Sequence, residues 1–268
     1  MTTSSNRVAK LLVHCAGPFS TLRRIPIVGD LLSWTSRRLV PNETLVWVQI
    51  ENGAAAGLWI GVNPRTGQSV RLAVGELAVQ KAVREHLRPG MTFYDLGANI
   101  GFYSLMAARL VGPAGRVIAF EADPEIASRL RDNLAYNKLD NVTVEQKAVW
   151  FESAIVSFVR VDANVSPDRG LGHIDLHHSP PAASIPVEAV SIDQFTATHP
   201  LPDFLKCDVE GAEVAVFQGA EYLLRIKRPI LLVEMHSPEN HRLLAEKFAE
   251  RGYTCTALDD SHILALPQ

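Results

Sequence analysis

From about residue 88 to 268 the sequence predicts an α/β fold, an open and mostly parallel sheet with helices on both faces, and three observations predict it. Strand-like and helix-like stretches alternate through about five βα units. A glycine-punctuated turn, Asp95-Leu-Gly-Ala-Asn-Ile-Gly101, follows the first apolar strand of that series. The series closes in two strands joined by Asp259-Asp260-Ser261, which predicts an antiparallel hairpin on the sheet's edge.

In order, residues 44–50, 57–62 and 69–74 read as a small antiparallel meander, and 76–87 as a helix stopped by Arg88-Pro89-Gly90. Residues 92–96 form the first apolar strand, 102–110 a helix ended by Gly112-Pro113, and 116–120 the second strand. Residues 124–137 are a helix with Pro124 at its start and Ile126, Leu130 and Leu134 at helical spacing, and 142–149 the third strand. Residues 154–161 and 185–190 read as strands around a long loop, 162–183. Strand 204–207, helix 213–224, strand 230–233, helix 239–251 and strands 253–258 and 262–266 complete the chain.

The sequence therefore divides into a helical extension (1–40), a meander and helix (41–87) and a sheet domain (88–268). Its 268 residues are enough for a sizeable core without staples. The net charge of −3 gives no protein-wide basic field for nucleic acid. Beneath that total, residues 1–40 hold six basic side chains against Asp30 alone, or +5, leaving −8 for the remainder. The preferred reading of this extension is helical packing on the main domain, with a peripheral membrane contact as the alternative. Cys15, Cys207 and Cys255 form neither a disulfide framework nor a CxxC metal pair, which fits a reducing, cytoplasmic setting. No apolar run is long enough for a spanning helix, and no signal peptide is expected.

Ligands of such sheets bind outside the carboxyl ends of the strands, where strand order reverses. The glycines at 97 and 101 admit a tight turn and a close ligand, and Glu121 ends the second strand 26 residues beyond Asp95. A carboxylate there suits a ribose diol. The glycine spacing is G-x-x-x-G rather than the G-x-G-x-x-G of a dinucleotide site, and Asp95 opposes a pyrophosphate while favouring an ammonium or sulfonium group. S-adenosylmethionine carries both cations and a ribose.

The blocks Asp95-Leu-Gly-Ala-Asn-Ile-Gly-Phe-Tyr-Ser104, Ala119-Phe-Glu-Ala-Asp-Pro124 with Asn133 and Asn137, and Lys206-Cys-Asp-Val-Glu-Gly-Ala-Glu213 resemble the signature blocks of the FkbM-type S-adenosylmethionine-dependent methyltransferases. The resemblance runs from about residue 75 to 258. It implies a Rossmann-like class I methyltransferase sheet of seven strands and methyl transfer, typically to a hydroxyl of a sugar, polyketide or similar natural product. Where the family often has an Asp after the third strand, this chain has Ala148-Val-Trp-Phe151, so a backbone contact from Ala148 or Val149 with an aromatic wall is expected at the adenine.

By resemblance and position, Asp95, Gly97, Ala98, Asn99 and Gly101 line the methionine part of the cofactor, Ser104 bonds its carboxylate, Glu121 and Ala122 meet the ribose side, and Ala148 the base. Asp208 lies beside the transferable methyl, in contact with cofactor or acceptor. An acceptor hydroxyl needs a base, and the candidates are His236, Glu234 and Glu210, with His236 preferred because an imidazole titrates near neutrality. Asp208, Glu210 and Glu234 also offer oxygens to a divalent metal, a route not favoured here because Met235 follows Glu234 and no Asp-Asn pair is present. His173, His177 and His178 read as solvated loop histidines of a substrate lid spanning 162–183. O-methylation of a small-molecule acceptor is the leading expectation. N-methylation and a non-catalytic cofactor-binding subunit tethered through residues 1–40 are the alternatives.

Overall fold

The computed structural model describes residues 44–64, 67–161, 172–175 and 184–268, so the extension 1–40, most of the expected lid and His177 and His178 lie outside the described residues. Among the described residues, 44–75 form one compact unit and those from Glu76 onward another. Helix 76–87 groups with the sheet residues.

In the first unit β1 (Val46–Gln49) and β2 (Trp59–Val62) pair antiparallel, Val46 opposite Val62. The third strand expected at 69–74 is instead a short helix, α1 (Gln68–Leu72). Two contacts accompany the helix. Gly67 packs so closely on Val62 that a Cβ would lie 2.3 Å from its Cγ2, and the buried Arg71 of the helix pairs with Glu51.

The second unit opens with α2 (Leu77–His86) and carries a seven-stranded sheet. Its strands are β3 (Thr92–Leu96), β4 (Arg116–Phe120), β5 (Val142–Glu145), β10 (Phe204–Cys207), β11 (Ile230–Glu234), β12 (Tyr253–Ala257) and β13 (His262–Pro267). They lie in the order β12-β13-β11-β10-β3-β4-β5, and β13 alone runs against the others. The expected seven-stranded sheet with a terminal hairpin is present. The chain moves outward from β3 to β5 on one side and then returns to β10 on the other, so order reverses between β3 and β10.

Helices α3 (Phe102–Val111) and α4 (Pro124–Asn137) follow the first two of these strands. Asp123 caps α4 through Glu125 N and Ile126 N, and Pro124 fits its first turn. The third strand is shorter than 142–149: residues 148–149 leave as β6 (Ala148–Val149) for a second, four-stranded sheet with β7 (Ala154–Val159), β8 (His173–Ile174) and β9 (Ser184–Val190). His173 is therefore a strand residue. A short helix that the sequence reading omitted, α5 (Ile192–Thr196), is capped by Ser191.

The helix expected at 213–224 is broken into α6 (Glu213–Gln218) and α7 (Glu221–Ile226). Gly219 lies against the main chain of 150–151, where a Cβ would come 2.6 Å from Trp150 O, and the Asp193 carboxylate caps α7 by accepting from Tyr222 N and Leu223 N. Helix α8 (Pro238–Glu250) is capped by Ser237. The core between sheet and helices includes Tyr94, Phe120, Leu205, Val233, Phe217 and Phe248, all essentially inaccessible.

Candidate active site

The turn after β3 is held from several sides. Gly97, Asn99 and Gly101 all have positive φ (76°, 51° and 93°), so the turn leans on glycine and on an asparagine, which tolerates that region. Gly97 N and Ala98 N donate to Phe120 O, Ile100 N donates to Asn99 Oδ1, and the buried Asn133 donates its amide to Ile100 O. A Cβ on Gly97 would lie 1.7 Å from Asp208 O, which brings the ends of β3 and β10 into backbone contact at the reversal point.

Asp95, at the end of β3, is fully buried. Its Oδ2 accepts from Ser104 Oγ at 2.6 Å, and its enclosed Oδ1 has no hydrogen-bond partner. Burial raises the Asp95 carboxyl above the usual range, and Lys206 and Ser104 offset this only in part. Ser104 is equally buried and its proton goes to Asp95. In this arrangement the Ser104 hydroxyl orients Asp95.

Lys206 pairs in register with Asp95 across the two central strands. Its buried ammonium donates to Asp208 Oδ2 at 3.0 Å and lies 5.0 Å from the Tyr103 ring centroid, while Tyr103 donates its hydroxyl to Glu76 Oε2 at 2.6 Å. Burial would raise Asp208, but Lys206 and His236 outweigh it and hold the carboxyl below its usual range. Burial likewise opposes the charge on Lys206, which Asp208 and Asp95 more than restore.

Glu121 ends β4 facing the same turn. Its two oxygens accept from Asn99 N (2.9 Å) and Asp123 N (2.8 Å), and burial pushes its carboxyl up to about 7 against those bonds. Beside it Ala122 and Ala148 join an apolar cluster with Phe158, Ile174 and Ala212, flanked by Trp150 and Val209. An apolar wall with Trp150 at its margin thus stands where the adenine-side contacts are expected.

Across the reversal, His236 follows β11 and sits among carboxylates. Its Nδ1 is 2.7 Å from Glu213 Oε1 and its Nε2 3.2 Å from Glu210 Oε2, with Asp208 Oδ1 and Glu234 Oε1 each at 3.9 Å. Glu213 is fully buried and also accepts from Gly211 N and Asn240 Nδ2. The bonds to Glu210 and Glu213 hold the imidazole up to about 10, so at neutral pH the ring is an imidazolium donating from both nitrogens. In that state neither nitrogen keeps a lone pair for an acceptor proton, which tells against His236 as the resting base.

The candidates thus gather in two groups at the carboxyl end of the sheet. Asp95, Gly97, Ala98, Asn99, Gly101 and Glu121 surround the first turn, and Glu210, Glu234 and His236 lie on the β10–β11 side, with Asp208 between. The sequence by itself assigns no role to Lys206, Glu213, Tyr103, Glu76 or His262. Lys206 and Glu213 stand inside the quoted block around Asp208, so their signal was available; Glu76 and His262 are distant in sequence and reach the site only through the fold.

A family model described as the methyltransferase FkbM domain matches residues 95–255. A curated arsenite methyltransferase from Halobacterium salinarum is 32% identical over 130 residues, 47% of this chain and 32% of that protein. A protein-L-isoaspartate O-methyltransferase from Ignicoccus hospitalis is 40% identical over 58 residues, 22% of this chain and 28% of that protein. The match thus spans about a third or less of these curated relatives. A crystal structure of methyltransferase FkbM from Methylobacillus flagellatus superposes with a TM-score of 0.48 at 17% identity, over 74% of this chain and 54% of that one. Among the described residues no helix is long and apolar enough to cross a membrane.

Proposed function

Since the chain belongs to the FkbM methyltransferase family, we propose that it transfers a methyl group from S-adenosylmethionine to a hydroxyl oxygen of a small natural product, of the sugar, polyketide or glycolipid kind. The observation that carries the cofactor assignment is Asp95, a buried carboxylate with one enclosed, unpartnered oxygen at the point where strand order reverses. An orphaned buried acceptor of this kind is costly unless a donor arrives, and the cofactor's ammonium is a donor of the right charge. Glu121 lies across the same turn for the ribose hydroxyls, and the apolar wall of Ala122 and Ala148 suits the adenine. Bound there, S-adenosylmethionine supplies an electrophilic methyl on a sulfonium leaving group.

The protein's own part is alignment, exclusion of water and acceptance of one proton. An acceptor hydroxyl must lose its proton as its oxygen takes the methyl, and with His236 doubly protonated that proton goes to Glu210 or Glu234. His236 then fixes the placement of these carboxylates and balances their charge. A hydroxyl acceptor is favoured over an amine because the carboxylate cluster provides the base that a hydroxyl needs and a neutral amine does not. The overall −3 charge supports a small-molecule acceptor in preference to a nucleic acid.

Calorimetry with S-adenosylmethionine, followed by transfer of labelled methyl into small-molecule extracts, tests the reading. Binding with label entering an oxygen is expected. Absence of binding would sink both enzymatic readings, label on nitrogen would reassign the acceptor, and binding without transfer to any extract would favour a non-catalytic subunit.

The Glu121 assignment has its own test in pH. The carboxylate form accepts ribose hydroxyls, and protons compete for it below about 7. Cofactor affinity is therefore expected to fall as pH drops below 7, by up to about tenfold per unit. Glu121→Gln should flatten that profile, and Glu121→Ala should weaken binding by about 10–100-fold, the worth of a hydrogen bond to a charged group. An unchanged affinity in the alanine variant would reject the ribose role.

A further inference from the structure

We propose that Glu76, Glu234 and His262 form a binding site for one divalent transition-metal cation of the Mn²⁺ or Zn²⁺ class, at the carboxyl end of β11. One ligand atom from each of the three residues lies within 4.8 Å of the other two. Glu234 and His262 are direct cross-strand partners in the β11–β13 pair, so the sheet register itself brings them together.

His262 supplies the second, independent observation. It is only 4% exposed, and its Nε2 is enclosed without a hydrogen-bond partner. Glu234 Oε2 pairs with it at 3.3 Å without a well-aligned hydrogen bond. Its other nitrogen, Nδ1, is 2.8 Å from Asp259 Oδ1, and Asp259 is itself fixed by accepting from Ser261 N and His262 N. A carboxylate on Nδ1 is the partner that orients metal-bound histidines, and a cation at Nε2 would take the place of the proton that Glu234 and Asp259 favour on the free ring.

Glu76 completes the set from another element. It occupies the left-handed region (φ 48°) at the start of α2, a conformation that costs a non-glycine residue about 1 kcal/mol or more. Its Oε2 accepts from Tyr103, which leaves Oε1 for a ligand. The donor set of two carboxylates and one imidazole suits Mn²⁺ or Zn²⁺ better than Mg²⁺ or Ca²⁺, which prefer oxygen alone. The neighbouring group of Asp208, Glu234 and His236 lacks this property, because His236 is exposed and its Nδ1 is already bonded to Glu213. Three protein ligands leave positions open for oxygens of water or of an acceptor. Cation binding itself does not rest on the methyl-transfer reading.

Electron paramagnetic resonance titration of the full chain with Mn²⁺, without cofactor or acceptor, is the test. One bound Mn²⁺ per chain is expected, displaced by Zn²⁺. Glu76→Gln and His262→Gln should each weaken it by about tenfold or more, and Asp259→Asn, which takes the charge from the Nδ1 partner, by about 10–100-fold. Thermal melts without metal confirm that each variant is folded; Glu76 is exposed and Asp259 lies in a turn, so at least these two are readable. If Mn²⁺ and Zn²⁺ do not bind, or Mn²⁺ binding is unchanged in both Glu76→Gln and Asp259→Asn, the site does not exist and His262 is simply an imidazolium held between Glu234 and Asp259.

Discussion

Replacing Gly97 with alanine is expected to abolish cofactor binding and to lower stability by about 2–4 kcal/mol. Two effects add at this position. The residue's φ of 76° is unfavourable for any side chain, and the new Cβ would start 1.7 Å from the Asp208 carbonyl oxygen. The oxygen belongs to the main chain at the end of β10 and cannot swing away like a side chain. Relief requires the ends of β3 and β10 to separate, which displaces Asp95 and Asp208 together. Gly90→Ala is the control, because it shares the positive φ (85°) but has nothing within 4 Å of the added carbon. Denaturant unfolding of both variants separates strain from collision, with about 1 kcal/mol expected for Gly90→Ala. Equal losses in the two, or an intact cofactor affinity in Gly97→Ala, would show that the close approach of the strands has no bearing on the site.

His236→Ala is expected to cost about 2–4 kcal/mol of stability and most of the turnover, while cofactor affinity changes little. The imidazolium is bonded to Glu213 and Glu210 and has Asp208 and Glu234 within 4 Å. Glu213 is wholly buried, so loss of its cationic partner leaves a carboxylate that solvent cannot rescue. Glu213→Gln removes the charge at the other end of the same bond. The double variant His236→Ala/Glu213→Gln should then be more stable than the sum of the two single losses predicts, by about 1–3 kcal/mol in a double-mutant cycle. Strict additivity would mean that the pair is incidental. Full turnover in His236→Ala would remove the histidine from the reaction altogether.

Both predictions concern contacts whose participants could be seen in the sequence while their pairing could not. The alternation of strands and helices, the turn from Asp95 to Gly101 and the acid at 121 were legible because each is a local pattern, and the sheet assembled around them as expected. What failed was also local in form but decided from outside. Residues 69–74 alternate like a strand, yet they form a short helix whose buried Arg71 pairs with the distant Glu51. Residues 213–224 read as one helix, and Gly219 breaks it because the main chain at Trp150 passes too close for a side chain. His236 looked like a base because an isolated imidazole titrates near neutrality. Its surroundings are Glu234 on its own strand end and three carboxylates of residues 208–213, and no spacing rule announces that they converge on one ring.

The antiparallel placement of β13 also bears on how the turn at Asp259-Asp260-Ser261 tolerates changes of length. That turn is on the surface, between Leu258 and His262, whose main chains close it with a 2.8 Å hydrogen bond. An added residue can bulge outward and leave both ladders untouched. A lost residue has no such outlet and pulls β13 along β11 by one position. Because side chains alternate between faces, Ile263 and Ala265 would change places with His262 and Leu264, which are buried on the opposite face of the sheet. The hairpin can thus lengthen freely but not shorten, and variants with deletions in this turn should be far rarer among folded chains than variants with insertions.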